Sequence, residues 1–326
     1  MLNILVMRRF YASVFASTLF PLILSTAHAQ IKIDLAGTPP QPRLFAEGII
    51  STSLNERDFA IAPDGREIYF TITVPQSTFQ TIVFMRKDGV SWSKPQVTPF
   101  AGRFSDLEPA FSPDGKRLYF ASNRPVSGNK PKDFDIWVVE RAGNTWGEPR
   151  NLGAPVNTLA DEFYPSVAKN GNLYYTGQYD GGVGKEDIYV SAWSGGAYTQ
   201  PVALDTMVNS GFYEFNAFID PDEQFIIFSS FGRNDDTGRG DLYISIKDKS
   251  GKWTKARNLQ VANSERLDYC PYVSPDKKVF FFTSERSALP VSFDSRTSYE
   301  EISRISRSAL NGTGNIYWMQ FDSLKQ

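Results

Sequence analysis

Acidic side chains recur at one position of a repeated pattern, and they are the residues of this chain best suited to chemistry. Each lies seven residues ahead of a turn, at Glu56, Asp106, Glu162, Glu214 and Asp268. Carboxylates that are crowded together repel one another unless something positive neutralises them. One interpretation is therefore a site for a cation or a cationic ligand, with calcium as the candidate ion because oxygen ligands suit it. The other is structural, with each acid accepting backbone N–H groups or pairing with an arginine.

Arginines lie near these acids in the repeat and are suited to pair with them. Arg124, Arg233 and Arg286 each follow the second strand of a unit. An arginine beside a carboxylate forms a strong, charge-assisted hydrogen bond. The arginines therefore favour the structural interpretation of the acids, while the ligand-binding interpretation stays open.

Aromatic residues that break the repeat are better candidates for ligand contacts. Tyr164, Tyr213 and Tyr269 lie in the same connections as the acids, together with several phenylalanines. Aromatic side chains are enriched in binding sites and suit a sugar ring or a peptide side chain. We predict that these three tyrosines contact a ligand, and packing between structural units is the alternative.

The longest departure from the repeat is the segment 287–314. Loops of this length are usually lids, binding loops or disordered segments. Its charged residues indicate exposure, and we predict that Arg296 and Arg304 contact a partner. A helical turn or two is expected within residues 299–310.

The histidine and cysteine counts exclude several kinds of catalytic site. The chain has one histidine, His28, and one cysteine, Cys270. Because His28 lies in a predicted signal peptide, the mature chain would hold no Ser-His-Asp or Cys-His nucleophile system and no histidine-ligated zinc. Cys270 is interpreted as a small packed thiol that lacks a base. Any catalysis would then depend on carboxylates, Lys or Tyr.

Residues 1–29 have the composition of a secretory signal peptide. Arg8 and Arg9 precede a short apolar run, and the segment ends with small residues at Ala27 and Ala29. We therefore expect a periplasmic or extracellular protein with no membrane span once the signal is removed, and an N-terminal extension at residues 30–40. The formal net charge of -2 lacks the basic excess of a nucleic-acid binder.

Five repeats, spaced by 50 to 56 residues, organise the chain after residue 40. Two of them read FAIAPDGREIYFT (59–71) and PAFSPDGKRLYFAS (109–122). Each unit has two strands around a tight turn, then a third and a fourth strand, which describes one blade of a propeller. The last unit stops after its third strand, whereas residues 41–56 resemble the end of another unit. The prediction is an all-β, five-bladed β-propeller at 41–326, with four-stranded antiparallel blades and the last blade closed by the N-terminal strand.

The repeat resembles that of the TolB-like, WD-repeat-like β-propeller family. The resemblance is fullest in DLEPAFSPDGKRLYFASNR (106–124) followed by DIWV (135–138), and it recurs through nearly the whole predicted mature chain. It implies an extracytoplasmic propeller that serves as a scaffold, and TolB itself binds envelope partners. Related repeats also occur in hydrolases and lyases. This chain departs from TolB in lacking a preceding globular domain and one blade.

Propeller geometry divides the loops between two faces. The turn face carries the connections of strands one to two and three to four, and the loop face carries the longer strand two-to-three loops and the connections between blades. Loops on a rigid scaffold usually carry function. We predict a binding module without a required cofactor that docks a protein, peptide or glycan of the cell envelope on its loop face. The alternative is a carboxylate-dependent, glycoside-active enzyme that uses the acids at the channel mouth.

Overall fold

Apolar runs on either side of each tight turn form antiparallel strand pairs, because β-branched and aromatic residues pack well on a pleated sheet. The computed structural model describes residues 31–290 and 292–325, so the predicted signal peptide at 1–29 and His28 lie outside the described residues. None of the helices described is long and apolar enough to cross a membrane.

The strands form five antiparallel sheets of four or five strands, as the repeats predict, and a separate two-stranded sheet at residues 193–198. Strand β1 (Arg43–Leu44) precedes the blades. Blade 1 consists of β2 (Asn55–Ile61), β3 (Glu67–Thr73), β4 (Gln80–Asp88), β5 (Ser91–Trp92) and β6 (Gln96–Val97). Blade 2 consists of β7 (Asp106–Phe111), β8 (Arg117–Ser122), β9 (Asp135–Ala142), β10 (Thr145–Trp146) and β11 (Arg150–Asn151).

The remaining blades repeat this order. Blade 3 consists of β12 (Glu162–Val167), β13 (Leu173–Gly177), β14 (Asp187–Ser191), β15 (Trp193–Ser194), β16 (Ala197–Tyr198) and β17 (Val202–Ala203). Blade 4 consists of β18 (Tyr213–Ile219), β19 (Phe225–Phe231), β20 (Asp241–Ile246) and β21 (Arg257–Asn258). Blade 5 consists of β22 (Asp268–Val273), β23 (Val279–Ser284) and β24 (Asn315–Gln320).

The N-terminal strand closes the last blade, which confirms the prediction. Strand β1 pairs antiparallel with β24, with Arg43 opposite Trp318 and Leu44 opposite Tyr317. The first strands of the blades also contact one another in a closed circle, β2 to β7, β12, β18, β22 and back to β2. The pairing with β1 covers the edge of β24, at which another chain could otherwise add a strand.

The fourth strands of blades 1 to 4 differ in detail from those that the sequence predicts. The sequence predicts fourth strands that open at Trp92, Trp146, Tyr198 or Trp253, but three blades split this strand into two short pieces. In those blades a proline, at position 95, 149 or 201, precedes the second piece. Proline has no N–H to donate to a sheet, so pairing is interrupted there. In blade 4 Trp253 forms only an isolated bridge with Lys247.

The long segment of blade 5 contains the expected helix. Helix α1 (Tyr299–Ser306) begins after Ser298, whose side chain accepts a hydrogen bond from the N–H of Glu301. Such a cap satisfies one of the free N–H groups of the first turn. Within the helix, the side chain of Ile305 is buried, whereas Tyr299 and Ile302 are exposed. Two short 3-10 helices, Pro75–Ser77 and Phe321–Lys325, complete the secondary structure of the described residues.

Candidate functional site

One of the five repeated acids is the first or second residue of the first strand in every blade, and each of these side chains is almost completely buried. In four blades the residue four positions earlier is Thr or Ser, and its backbone N–H and side-chain hydroxyl both donate to the acid. The pairs are Thr52 with Glu56, Thr158 with Glu162, Ser210 with Glu214 and Ser264 with Asp268. A carboxylate that accepts such bonds holds the connection between blades to the start of the strand.

The three predicted arginine partners each contact an acid of their own blade. Arg124 lies 2.5 Å from Asp106, Arg233 lies 2.9 Å from Glu214, and Arg286 lies 2.9 Å from Asp268. The acids therefore have the contacts that the structural interpretation expects. Their predicted role in ligand binding stays a prediction.

The two first-ring acids that have no arginine partner, Glu56 and Glu162, have strongly raised pKa values. Burial raises the pKa of Glu56 to about 7, against the hydrogen bonds from Thr52 that lower it. Burial likewise raises the pKa of Glu162 to about 7, although Thr158 and Tyr179 donate to this carboxylate. Removal from water disfavours the charged form when no cation compensates. These two blades thus hold a carboxyl group that is partly protonated near neutral pH.

A second ring of residues lies two positions after the acids, at a bulge in each first strand. The bulge residues all have left-handed backbone angles, with φ from 51° to 62°, at Asp58, Glu108, Tyr164, Asn216 and Cys270. For residues other than glycine this conformation is uncommon, and bulges are used to redirect side chains. We call these five residues the bulge ring. All five are buried.

Arg57 is the centre of the contacts within the bulge ring. Its guanidinium lies 2.7 Å from Asp58 and 2.9 Å from Glu108, and it packs over the ring of Tyr269. The thiol of Cys270 donates to Oδ1 of Asp58 at 2.8 Å. Burial raises the pKa of Glu108 to about 8, with Arg57 opposing and Asp58 reinforcing the rise. Burial also raises the pKa of the Cys270 thiol well above its usual range, which disfavours a thiolate nucleophile.

A central cavity lies on the turn-face side of the bulge ring and encloses about 170 Å³. Asp58, Glu108 and Tyr164 of the bulge ring are among its lining residues. Its walls are mostly apolar, from Phe111, Phe218, Tyr272 and the prolines that follow the bulges. Lys169, Asp222 and Lys277 lie at the rim, where Lys169 pairs with Asp222 at 2.7 Å. This cavity therefore opens on the turn face.

The predicted aromatic and basic site residues have different surroundings. Tyr164 and Tyr269 are buried in one cluster with Cys270, so they are not free on the loop face. Tyr213 is partly exposed, and its ring lies 6.2 Å from that of Phe231. Arg296 is exposed, and Arg304 is exposed but forms an ion pair with Glu301 of α1 at 2.8 Å.

Large apolar residues are exposed mainly on the loop face. They lie in the connections between blades or in the strand two-to-three loops, at Leu54, Val126, Leu159, Val183, Met207, Phe212, Phe231, Phe293, Tyr299 and Ile302. Among the described residues the turn face exposes fewer, at Val90, Trp193 and Ile246, and the fourth strands expose Val97 and Val202. Phe212, Tyr213 and Phe231 lie together, and a side chain in place of Gly232 would meet the ring of Phe212 at 2.9 Å. We call these three residues the aromatic cluster of blade 4.

Metal binding has no assembled site in residues 31–290 and 292–325. No group of three or more His, Cys, Asp or Glu residues there is arranged to hold a metal ion. The five acids of the first ring each have protein donors instead. Calcium binding stays a prediction.

The sequence did not predict the bulge ring as a site. Asp58, Glu108 and Asn216 were not among the candidate residues, although Tyr164 was. A signal was present: two residues after each repeated acid, the repeats carry Asp, Glu, Tyr, Asn or Cys. The residue type at this position varies although the rest of the repeat is regular. Such variation indicates that the fold of a blade does not require one particular residue there.

Comparison with solved structures shows the fold. A structure described as "Glycoside hydrolase" has a TM-score of 0.52 and 10% sequence identity, covering 90% of this chain and 91% of that one. A complex of BT0996 with RGII has a TM-score of 0.51 and 10% identity, covering 89% and 90%. TolB from Acinetobacter baumannii has a TM-score of 0.46 and 13% identity, covering 81% of this chain but only 54% of TolB. No family model and no protein of curated function matches the chain. The five blades confirm the propeller fold that the TolB-like resemblance implies.

Proposed function

We propose that this protein is a binding module of the cell envelope or its exterior, and that its loop face docks a protein partner. The main observation that supports this proposal is that large apolar residues are exposed mainly on that face. Solvent-exposed aromatic residues on a rigid scaffold are typical of interaction sites, and Tyr, Phe and Arg are enriched in protein interfaces.

The aromatic cluster of blade 4 provides the best-defined contact. Phe212 is 43% exposed and Phe231 is 46% exposed, although both are large and apolar. Lys185 lies 5.1 Å from the centre of the Tyr213 ring and adds a positive charge beside it. Apolar surface removed from water on docking contributes about 25 cal/mol per Å². A partner that covers both phenylalanines therefore gains affinity without any rearrangement of the blade.

The segment that contains α1 provides the second contact. Tyr299 is 78% exposed, and Ile302 and Phe293 are also exposed. The predicted partner residues Arg296 and Arg304 belong to the same segment. An apolar surface with arginines beside it suits a protein or peptide with acidic residues around an apolar centre.

The first experiment compares capture of proteins from a cell-envelope extract by three forms of the purified protein. They are the wild type, Phe212→Ser with Phe231→Ser, and the turn-face control Val90→Ser, which removes a residue that is 73% exposed. We expect the wild type to retain a partner protein. The amount retained should fall at least about tenfold with the double variant and stay unchanged with the control. Equal retention by all three forms, or nothing above a blank matrix, contradicts docking on this face.

A parallel variant tests the segment of α1. Arg296→Glu with Arg304→Glu reverses two exposed charges and removes no buried group. The proposal expects weaker capture and a changed salt dependence, because charges at the rim of an interface mainly affect association rate. If the double charge-reversal variant captures as much partner as the wild type at low salt, this segment is not part of the docking surface.

The alternative function, a glycoside-active enzyme, has one supporting observation. Glu108 lines the central cavity, and a pKa of about 8 keeps this carboxyl protonated near neutral pH, as a general acid requires. Arg57 binds both Glu108 and Asp58, however, which occupies the two groups that would have to act. A hydrolysis assay with aryl glycosides and Glu108→Gln tests this alternative. Turnover that the variant abolishes would establish it, and no turnover would leave the binding function.

A further inference from the structure

A cavity of about 230 Å³ lies between blades 2 and 3, where the chain departs from the repeat. In blade 3 the strands β15 and β16 form a separate two-stranded sheet, and this hairpin provides one wall of the cavity. Strands β8 and β11 and the connection at 152–156 provide the other wall. The volume is somewhat larger than that of a cavity of roughly 150 Å³ that holds benzene. One ring of the size of a sugar can therefore enter it.

Trp193 is an additional aromatic residue of blade 3, and its side chain is exposed at this cavity. Trp92 and Trp146 open the fourth strands of blades 1 and 2 and are buried, and Tyr198 takes their place in blade 3. Trp193 lies on the other strand of the hairpin and is 41% exposed. Its ring centre lies 4.8 Å from that of Tyr198, with the two planes at 70°. An exposed tryptophan that the repeat does not require favours contact with a ligand.

The indole of Trp193 is held in position by its neighbours. The backbone N–H of Trp193 donates to the side chain of Asn172 at 3.1 Å. A Cβ atom at Gly171 would lie 3.0 Å from Cβ and Cγ of Trp193, so the glycine gives the side chain its space. Gly171 also has a φ of 92°, which glycine adopts without strain. An aromatic ring that is already positioned loses little conformational entropy when a ligand packs against it.

The cavity is lined by two arginines, Arg117 and Arg150, and none of the described residues that line it is acidic. Burial raises the pKa of Tyr198 far above its usual range, and the positive charges of both arginines oppose this rise, so both lie near the same hydroxyl. Of the two, only Arg117 forms an ion pair among the described residues. Its partner is Glu140 at 3.4 Å, and both side chains are exposed, so water weakens the attraction. Two guanidinium groups without a strong counter-ion favour an anion, and their planar shape suits a carboxylate.

We propose that the cavity between blades 2 and 3 binds an acidic sugar, a pyranose ring that carries a carboxylate. The C–H face of the ring packs against Trp193 and Tyr198, and the carboxylate accepts hydrogen bonds from Arg117 and Arg150. Two sources carry this chemistry, a free uronic acid and a uronic acid residue within a polysaccharide. A second concavity of about 360 Å³ shares Arg117, Trp193 and Tyr198 with the first, which gives space for a neighbouring ring of a chain.

NMR titration of the 15N-labelled protein tests the proposal, because it detects weak binding and follows the indole N–H signals of the six tryptophans. The spectrum of Trp193→Ala identifies the signal of Trp193. The probes are galacturonate against galactose and glucuronate against glucose, two pairs that differ only in the carboxylate. Two further probes are a trisaccharide of galacturonate and a terminally blocked Gly-Asp-Gly peptide, which has a carboxylate without a ring.

Three variants locate the binding. Trp193→Ala removes the aromatic contact, and Arg150→Gln removes one positive charge from the cavity. Arg66→Gln is the matched control, because it removes an exposed arginine from a turn of blade 1 that lines neither concavity. Thermal unfolding of each variant verifies that it is folded.

We expect a uronate to shift the indole signal of Trp193 and to bind at least about fivefold more tightly than its neutral counterpart. Arg150→Gln and Trp193→Ala should each weaken this binding at least about fivefold, and Arg66→Gln should leave it unchanged. A trisaccharide that binds more than about tenfold more tightly than either single uronate identifies a polysaccharide as the source. A smaller difference identifies the free acid.

Four results would overturn the proposal. They are no binding of any uronate, equal binding of a uronate and its neutral counterpart, undiminished binding of the uronate by Arg150→Gln, and binding of the aspartate peptide as tight as that of the uronate. The last result would show a site for acidic peptides instead. None of these outcomes bears on docking at the loop face, because no residue of the aromatic cluster of blade 4 or of α1 lines this cavity.

Discussion

Two polar rings lie only two residues apart on the same five strands, and they differ in how their side chains are satisfied. The first ring contains an acid in every blade, and donors from the preceding connection or an arginine bind each acid. The bulge ring contains Asp, Glu, Tyr, Asn and Cys, and its two carboxyl groups depend on the single Arg57. One oxygen in each ring, Oδ2 of Asp106 and Oδ2 of Asp58, has no hydrogen-bond partner among the described residues. The regular ring has the contacts of a structural device, and the irregular ring has those of a site.

The largest effect is expected where the first ring is broken. Glu214 accepts from Ser210 and Ser230 and pairs with Arg233, and it is fully buried. Glu214→Ala leaves the mostly buried guanidinium of Arg233 without its carboxylate partner, so the free energy of unfolding should fall by about 3–5 kcal/mol. Chemical denaturation measures this loss. The control is Glu140→Ala at the exposed pair with Arg117, where a loss of about 1 kcal/mol or less is expected.

A smaller effect of Glu214→Ala than of the control would contradict the structural role of the first ring. An acid that is not needed for stability would then be available to bind a ligand. The same experiment therefore decides between the two interpretations that the sequence leaves open.

The next effect concerns pH. Burial raises the pKa of Glu56, Glu162 and Glu186 to about 7, whereas an unfolded glutamate titrates near 4.5. Between these values the folded chain retains protons that the unfolded chain has released. Since the folded state binds more protons, its stability should fall as pH rises from about 5 to 7. Thermal unfolding at several pH values should show a melting temperature that falls by a few degrees.

The variant Glu56→Gln locates part of this pH dependence. It keeps a side chain that accepts from Thr52 and cannot ionise, so the fall in melting temperature with pH should become shallower. Glu148→Gln, at an exposed glutamate, is the matched control and should reproduce the wild-type profile. A profile of Glu56→Gln that parallels the wild type would show that this acid is ionised in the folded protein.

The smallest effect is expected at the bulge ring's thiol. Cys270 is fully buried and burial raises its pKa, so iodoacetamide should leave it unmodified in the folded protein and alkylate it fully in denaturant. Mass spectrometry measures both states. Rapid alkylation of the folded protein at neutral pH would show an accessible thiolate, and the ring would then contain a nucleophile.

The repeats were sufficient to predict the fold, because each blade repeats the same turn chemistry and strand pattern. Closure of blade 5 by β1 followed from a fifth unit without its fourth strand, and the pairing of Arg43 with Trp318 agrees. The arginine partners of Asp106, Glu214 and Asp268 were also predictable from their place in the repeat.

The site was less predictable, because it depends on backbone geometry that residue types do not report. An alternating strand would put residues on opposite faces, but the bulge adds one residue and redirects Asp58 and Glu108. The position of Arg57 between blades 1 and 2 is a long-range contact, and its residue type does not recur in the other blades. Tyr164 and Tyr269 are buried for the same reason, since neighbouring first strands converge around them.

The most direct test of docking on the loop face is hydrogen–deuterium exchange of the protein with its captured partner bound. We predict slower exchange in residues 205–213 and 287–314, which hold Phe212 and Tyr299, and unchanged exchange in the Pro-Asp-Gly turns at 63–65 and 113–115. Protection of those turns, with exchange at 205–213 and 287–314 unchanged, would place the partner on the turn face and rule out docking on the loop face.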